Sequence, residues 1–129
     1  MNKQFEGKVA FISGGTSGLG KATVYELVKR GARVIFVGRD DAKAQEVINK
    51  CKELGGEAEY KNCDITKHQN VIDVFGYIRE RYGKLDFAGN VAGTGIPSTQ
   101  IDDTTDDQID MMIDINLKGL IYCMIEEIK

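Results

Sequence analysis

The chain has 129 residues, of which 42% are hydrophobic and 29% are charged, a composition that predicts one soluble globular domain over residues 1–129 with no room for a second. The net charge of −3, with Lys and Arg scattered along the chain, argues against nucleic acid and membrane surfaces as partners. The polar N-terminus and three cysteines without a CxxC pair argue against a signal peptide and a disulfide framework, so a cytoplasmic location is expected.

The first predicted elements are a strand over residues 8–13 and a helix over 18–30, joined by a glycine-rich loop. The loop reads Ser13-Gly14-Gly15-Thr16-Ser17-Gly18-Leu19-Gly20. Glycines let the backbone approach a pyrophosphate, and the N-terminus of the helix supplies free N–H groups and a partial positive charge. This strand–loop–helix context predicts a dinucleotide site rather than a merely tight turn.

The same loop allows a second interpretation, because Gly15-x-x-x-x-Gly20-Lys21 begins the P-loop pattern of NTPases. A P-loop needs a Ser or Thr hydroxyl after the lysine to bind Mg²⁺. This chain has Ala22 there, and no clear strand ends in a Walker-type Asp. A P-loop NTPase is therefore the disfavoured alternative.

Three further strands are predicted, at residues 33–37, 58–64 and 85–89. The strands at residues 8–13 and 33–37 are almost continuously apolar, which is typical of parallel strands buried on both faces. Helical patterns alternate with all four strands. This order predicts the α/β fold class, with a Rossmann-like doubly wound parallel sheet and right-handed crossovers.

Apolar residues recur at helical spacing between the later strands, over 44–54 and over 71–82. Two Thr/Gln pairs are spaced as capping boxes and are predicted to begin helices. The pairs are Thr66 with Gln69 and Thr105 with Gln108.

The last helix carries a wide apolar stripe, formed by Ile109, Met112, Ile113, Leu117, Leu120, Ile121, Met124, Ile125 and Ile128. At about 100° per residue these positions cover roughly 220°, whereas a helix packed on one side needs about 100° or a little more. One face is expected to cover the sheet and the other to contact a second copy. A homo-oligomer is therefore predicted.

Charged and titratable residues elsewhere receive structural interpretations. His68, the single histidine, has no Cys or acidic pair at ligand spacing, so it is interpreted as a solvated side chain and no metal site is predicted. Four acidic residues near the start of the last helix are interpreted as a solvated cap, because the helix macrodipole favours negative charge there. They are Asp102, Asp103, Asp106 and Asp107.

Four motifs at consistent spacings resemble those of the classical short-chain dehydrogenase/reductase family. They are Gly14-x-x-x-Gly18-x-Gly20, Tyr82-Gly83-Lys84-Leu85-Asp86, Asn90-Val91-Ala92-Gly93 and Asp114-Ile115-Asn116-Leu117-Lys118-Gly119. The resemblance covers the whole chain in order and corresponds to the family's N-terminal, cofactor-binding half. It implies an NAD(P)(H)-dependent oxidoreductase that moves a hydride between nicotinamide and a small-molecule alcohol or carbonyl substrate.

The resemblance also implies roles for individual residues. The loop backbone, with the hydroxyls of Thr16 and Ser17, would hold the phosphates and the ribose. Asp64 and Ile65 would border the adenine, and the turn Asn90-Val91-Ala92-Gly93 would run beside the cofactor ribose; Val91 stands where the family usually has a second Asn. Asn116 matches the asparagine of the family's Asn-Ser-Tyr-Lys tetrad, which supports a proton-relay water.

The sequence departs from the family at its end, because Lys129 lies in the helix that carries Asn116, before the family's Ser and its Tyr-x-x-x-Lys. Relative to the family, the domain is incomplete and the sheet is truncated after the fourth strand and its following helix. The chain is therefore expected to bind cofactor and to lack the Ser, Tyr and Lys that perform proton transfer. Tyr25-Glu26-Leu27-Val28-Lys29 spells the same pattern but is interpreted as an ordinary helix surface. A noncatalytic nucleotide-binding module remains the alternative.

The end of the second strand bears on cofactor choice, since NAD-specific sites place an acid there to bind the ribose 2′-OH. That position is predicted to be Gly38, followed by Arg39. A guanidinium can pair bidentately with a 2′-phosphate, so NADP(H) is favoured over NAD(H). If the second strand ended one or two residues later, Asp40 or Asp41 would lie at the ribose, and NAD(H) would be favoured over NADP(H).

Overall fold

The computed structural model describes residues 4–16, 18–91 and 105–129, with the backbone alone for 111, 112 and 114–116. Strands and helices alternate along these ranges, as predicted. The elements are β1 (Val9–Ser13), α1 (Gly18–Lys29), β2 (Arg33–Gly38), α2 (Asp41–Glu53), β3 (Ala58–Asn62), α3 (His68–Tyr82), β4 (Phe87–Asn90), α4 (Asp106–Ile113), a π-helical segment (Asp114–Gly119) and α5 (Leu120–Ile128).

The strands form a parallel sheet in the order β3-β2-β1-β4. Chain order therefore reverses at β1, which confirms the Rossmann-like, doubly wound arrangement. Ser13 is level with Val37 on one side and with Asn90 on the other. The carboxyl ends of β1, β2 and β4 consequently meet at one edge, which is where open α/β sheets bind ligands.

Two apolar clusters cover the two faces of the sheet. On one face Phe11 and Ile35 pack with α3 and with Cys123 of α5. On the other face Ile12 and Phe36 pack with residues of α1 and α2. β1 is buried along its whole length, as expected of a strand covered by helices on both faces.

The three cysteines lie in these clusters as free thiols. Burial raises the pKa of Cys51 to about 11 and is the main reason that the pKa of Cys123 is raised to about 12. They therefore act as small core residues rather than as nucleophiles.

The two predicted capping boxes have different outcomes. Thr105 and Gln108 form the expected reciprocal bonds, since the Thr105 N–H donates to Gln108 Oε1 (2.9 Å) and the Gln108 N–H donates to Thr105 Oγ1 (3.2 Å). The box at Thr66 and Gln69 is wrong. Both the N–H and the hydroxyl of Thr66 donate to Asp64 Oδ1, because a carboxylate two residues earlier offers a closer acceptor.

The last helices pack against the rest of the chain on one side only. Cys123 and Glu126 are buried, whereas apolar side chains on the other side remain 40–83% exposed. The exposed side chains are Ile109, Ile113, Leu117, Ile121, Met124, Ile125 and Ile128. Within the described part of the chain, no helix is long and apolar enough to cross a membrane.

Candidate functional site

The glycine-rich loop folds back on the first turn of α1. The N–H groups of Gly14 and Gly15 donate to the Val37 carbonyl of β2 (3.1 and 3.3 Å), which anchors the loop to the sheet. A Cβ at Gly20 would lie 1.9 Å from the Gly14 carbonyl oxygen. Only glycine fits this contact, so the loop backbone lies directly beside the helix N-terminus, where N–H groups and the helix dipole favour an anion.

Among the described residues, the side chains around the loop include one large apolar residue that is exposed. Leu19 is 72% exposed, which is unusual for a large apolar residue and leaves it available to a ligand. Thr16 contacts the end of β2, where its methyl group would lie 2.8 Å from a Cβ at Gly38. Ser17 lies outside the described residues.

The two aspartates that follow β2, Asp40 and Asp41, accept hydrogen bonds from different parts of the protein. Asp40 caps α2 by accepting the Lys43 N–H (3.0 Å). Asp41 Oδ1 accepts the Tyr60 hydroxyl (2.8 Å) and the Asn62 amide (2.9 Å), and these hydrogen bonds lower the pKa of Asp41. Both carboxylates therefore already have partners within the protein.

Arg39 is exposed at the same sheet edge, and its positive charge acts on Asp64. Burial alone would raise the pKa of Asp64, but the Thr66 hydrogen bonds and the charges of Arg39 and Lys67 outweigh it, so the pKa is lowered. Two residues predicted to bind cofactor are thus neighbours, and Asp64 is ionised. Ile65, the next residue, is only 7% exposed, and its side chain contacts Gly119 of the π-helical segment rather than solvent.

Asn90 ends β4 beside the start of the glycine-rich loop. Its Nδ2 donates to Glu127 Oε1 of α5 (2.9 Å), and Val91 packs on the cluster formed with α1 and α2. Ala92 and Gly93 lie outside the described residues. The sequence interpretation missed Glu127, although two adjacent glutamates inside an apolar helical run were an available signal.

Asn116 lies in the π-helical segment, and its side chain is not among those described. π-Helical turns within α-helices are rare and frequently occur at functional sites. The backbone irregularity therefore marks the position that the resemblance assigns to the proton relay.

Tyr25 lies on α1 and packs on the apolar cluster between α1 and α2. Burial, followed by the charges of Cys51 and Glu46, raises the pKa of Tyr25. A general acid/base needs the opposite shift, towards neutral pH. These contacts favour the interpretation of Tyr25 and Lys29 as helix surface.

His68 is partly exposed, with 39% of its side chain accessible, and it also makes contacts that the sequence did not predict. Its ring stacks on Tyr122 (4.5 Å between centroids, 5° between planes), and its Nε2 lies 3.3 Å from Glu126 Oε2. The sequence did not predict these contacts because α5, distant in sequence, packs over the start of α3. Among the described residues, no group of three or more His, Cys, Asp or Glu side chains is arranged to hold a metal ion.

A cavity of about 520 Å³ lies at the opposite, amino-terminal edge of the sheet. Two of its cationic residues already have partners, since Arg33 pairs with Glu57 (2.7 Å) and Lys84 pairs with Asp86 (3.1 Å). The carboxyl edge, with its loop and helix N-terminus, is therefore the stronger candidate.

Comparison with known proteins agrees with this geometry. Residues 8–128 match the family model described as short chain dehydrogenase. The 3beta-hydroxysteroid dehydrogenase of Mediterraneibacter gnavus is 36% identical over 126 residues, which cover 98% of this chain and 46% of that protein.

Two solved structures share the fold. A citronellol catabolism dehydrogenase of Pseudomonas aeruginosa PAO1 matches with a TM-score of 0.91 at 26% identity, covering 98% of this chain and 52% of that one. A metagenomic short-chain oxidoreductase solved in complex with NADP matches with a TM-score of 0.89 at 28% identity, covering 95% and 56%. The chain spans about half the length of these proteins.

Proposed function

This chain belongs to the short-chain dehydrogenase family, and we propose that it forms the cofactor-binding half of an NAD(P)(H)-dependent oxidoreductase acting on an alcohol or carbonyl substrate. The observation that carries the proposal is the contact between Gly20 and the Gly14 carbonyl. This contact places the N-terminus of α1 directly beside the glycine-rich loop at the carboxyl edge of the sheet, where a pyrophosphate would be bound.

In this proposal the bound nicotinamide would donate hydride to a carbonyl or accept it from an alcohol, and the chain's own residues bind and orient the cofactor. The loop backbone, with Thr16 and Ser17, holds the phosphates, and Asp64 borders the adenine. The turn that begins at Asn90 runs beside the ribose, and Asn116 holds a water of the proton relay. We expect the family's Ser, Tyr and Lys to have no matching positions among these 129 residues, so hydride transfer is proposed for a protein in which this chain is joined to them.

The ligand class is tested by calorimetric titration of the 129-residue chain with NADPH, NADH and Mg-ATP. We expect saturable binding of a nicotinamide dinucleotide. Mg-ATP is expected not to bind, because Ala22 stands where a P-loop needs a hydroxyl for Mg²⁺. Saturable Mg-ATP binding without any response to either dinucleotide would overturn the proposed function.

Three features near the end of β2 support NADP(H) as the preferred cofactor. A side chain at Gly38 would approach Thr16 to within 2.8 Å, so an acid is disfavoured at the position that NAD-specific sites use. Asp40 and Asp41 are engaged in hydrogen bonds within the protein. Arg39 remains exposed to pair with a 2′-phosphate.

The exposed apolar side of the last helices supports a homo-oligomer. Seven large apolar side chains there are at least 40% exposed in the single chain. Contiguous apolar surface of this kind marks interaction sites in folded proteins. A second copy of the chain is the proposed partner, contacting the side of α5 that faces away from α3.

Met124→Lys is expected to dissociate this oligomer, since it places a charge within the apolar interface. Its dissociation constant is expected to rise by roughly tenfold or more, which corresponds to about 1.4 kcal/mol. Sedimentation across a tenfold concentration range measures the effect. Ala42→Lys, which adds the same charge at an exposed position of α2, serves as the control. A wild-type protein that stays monomeric throughout would refute self-association.

A further inference from the structure

Two adjacent glutamates of α5 have opposite surroundings. The side chain of Glu126 is 1% exposed, and two cationic groups approach it, Lys129 (3.3 Å) and Arg79 (3.9 Å), together with the imidazole of His68 (3.3 Å). Burial alone would raise the pKa of Glu126, but the hydrogen bonds and charges of Lys129 and His68 outweigh it, and the pKa is lowered. Glu126 is therefore ionised.

Glu127 faces β4 instead, and its one described hydrogen bond comes from Asn90 Nδ2 to Oε1 (2.9 Å). Burial raises the pKa of Glu127, and the Asn90 hydrogen bond only partly counters this. The second oxygen, Glu127 Oε2, is buried without a partner among the described residues, and so is Asn90 Oδ1.

Charged groups near Glu127 do not compensate a negative charge on it. Arg79 from α3, Lys84 from the segment before β4, and Glu126 and Lys129 from α5 line the same cavity of about 240 Å³. Arg79 and Lys129 pair with Glu126, and Lys84 pairs with Asp86. Cys123, one turn earlier on α5, is a buried thiol whose raised pKa keeps it neutral.

One proton would satisfy both unpartnered oxygens. An ionised carboxylate has no donor, whereas a carboxylic acid has one O–H. An acid and a primary amide can exchange two hydrogen bonds: amide N–H to the acid carbonyl, and acid O–H to the amide carbonyl. Leaving two buried acceptors unpaired costs free energy that this arrangement avoids.

We propose that Glu127 is protonated on Oε2 in the folded protein and forms a reciprocal two-bond pair with Asn90, which makes Glu127 a positioning residue for the turn after β4. Asn90 is level with Ser13, and the next residue begins the turn proposed to run beside the cofactor ribose. Loss of the proton sets a buried carboxylate against Asn90 Oδ1, and the repulsion displaces this turn. The link to the cofactor rests on the proposed function, whereas the protonation itself does not.

The protonation is tested by chemical unfolding of the 129-residue chain at a series of pH values. In the wild type the folded state keeps a proton above the ordinary glutamate pKa of about 4.3, so the free energy of unfolding contains a component that falls as pH rises towards the raised pKa of Glu127. Glu127→Gln retains both hydrogen bonds and cannot titrate, so this component disappears. Glu80→Gln, at an exposed position of α3, should follow the wild-type profile. Identical profiles for wild type and Glu127→Gln would overturn the proposal.

A second measurement needs no variant. In wild-type protein labelled with ¹³C at the glutamate carboxyl groups, we expect one resonance to titrate well above pH 4.3. If every glutamate titrated at or below about 4.3, Glu127 would be ionised, with its oxygens satisfied by water, and the proposal would be wrong.

The link to the cofactor has its own readout, the NADPH dissociation constant between pH 5 and 9. We expect it to rise several-fold for the wild type relative to Glu127→Gln as the pH passes the titration observed by NMR. Parallel pH profiles for the two proteins would refute the positioning role. If no protein bound NADPH at any pH, the proposed function would fail, and the unfolding and NMR measurements would still decide the protonation.

Discussion

Gly20→Ala is expected to weaken binding of NADP(H) by roughly 100-fold or more. The new Cβ would lie 1.9 Å from the Gly14 carbonyl oxygen and 2.6 Å from its carbon. These are backbone atoms, so the loop itself must move away from the helix N-terminus. Losing two charge-assisted hydrogen bonds to phosphate, at about 1.5–3 kcal/mol each, accounts for a loss of at least this size.

The same substitution is expected to destabilise the fold by about 1–3 kcal/mol, as overpacking generally does. Alanine otherwise favours a helix over glycine by about 1 kcal/mol, so the sign of the effect is diagnostic. Gly76→Ala is the matched control, because Gly76 lies in α3 and a Cβ there meets nothing within 4 Å. It should leave NADPH binding unchanged and raise the stability slightly. If Gly20→Ala behaved like Gly76→Ala in titration and unfolding, the close contact would have no role in binding.

Arg39→Ala is expected to weaken NADP⁺ binding by roughly 10- to 150-fold, because a charge-assisted contact to the 2′-phosphate contributes about 1.5–3 kcal/mol. NAD⁺ binding should hardly change, since NAD⁺ lacks that phosphate. The NADP⁺ affinity of Arg39→Lys should lie between those of the wild type and Arg39→Ala, because lysine keeps the charge and loses the bidentate geometry. Calorimetric titration of each protein with both cofactors measures the effect.

Arg81→Ala is the control for Arg39→Ala, because Arg81 is an exposed arginine near the end of α3, away from the carboxyl edge of the sheet. It should leave both affinities unchanged. Equal losses of NADP⁺ and NAD⁺ affinity in Arg39→Ala would contradict the assignment of Arg39 to the 2′-phosphate. A higher salt concentration should reduce the wild-type preference for NADP⁺, because exposed charges are screened.

Much of the fold could be predicted from local patterns. Burial on both faces makes β1 and β2 almost continuously apolar, and glycines mark the loop after β1, so these features were identified correctly. The observed strand boundaries differ from the predicted ones where a side chain takes a hydrogen bond of the backbone ladder. β4 begins at Phe87 rather than at residue 85, because Asp86 accepts the Val9 N–H through its carboxylate (2.8 Å) before the strand starts.

The candidate site was predictable in its backbone and less so in its charges. The glycine-rich loop and Arg39 were found from order along the chain. The sequence left open whether Asp40 or Asp41 reaches the cofactor ribose. Asp41 is held by residues of β3 about twenty positions later, Tyr60 and Asn62, which no local pattern indicates.

The sequence by itself determined the α/β order, the parallel sheet, the loop at the N-terminus of α1 and the capping box of Thr105 and Gln108. The helices, the loop and the capping box depend on neighbours within a few residues, and the parallel sheet follows from the alternation of strands and helices along the chain. The tertiary structure alone decided the surroundings of Glu126 and Glu127. Although adjacent in sequence, they face His68 and Asn90 respectively, 58 and 37 positions away. The charge of a buried carboxyl group is set by the groups that packing brings against it, and packing joins residues that are far apart along the chain.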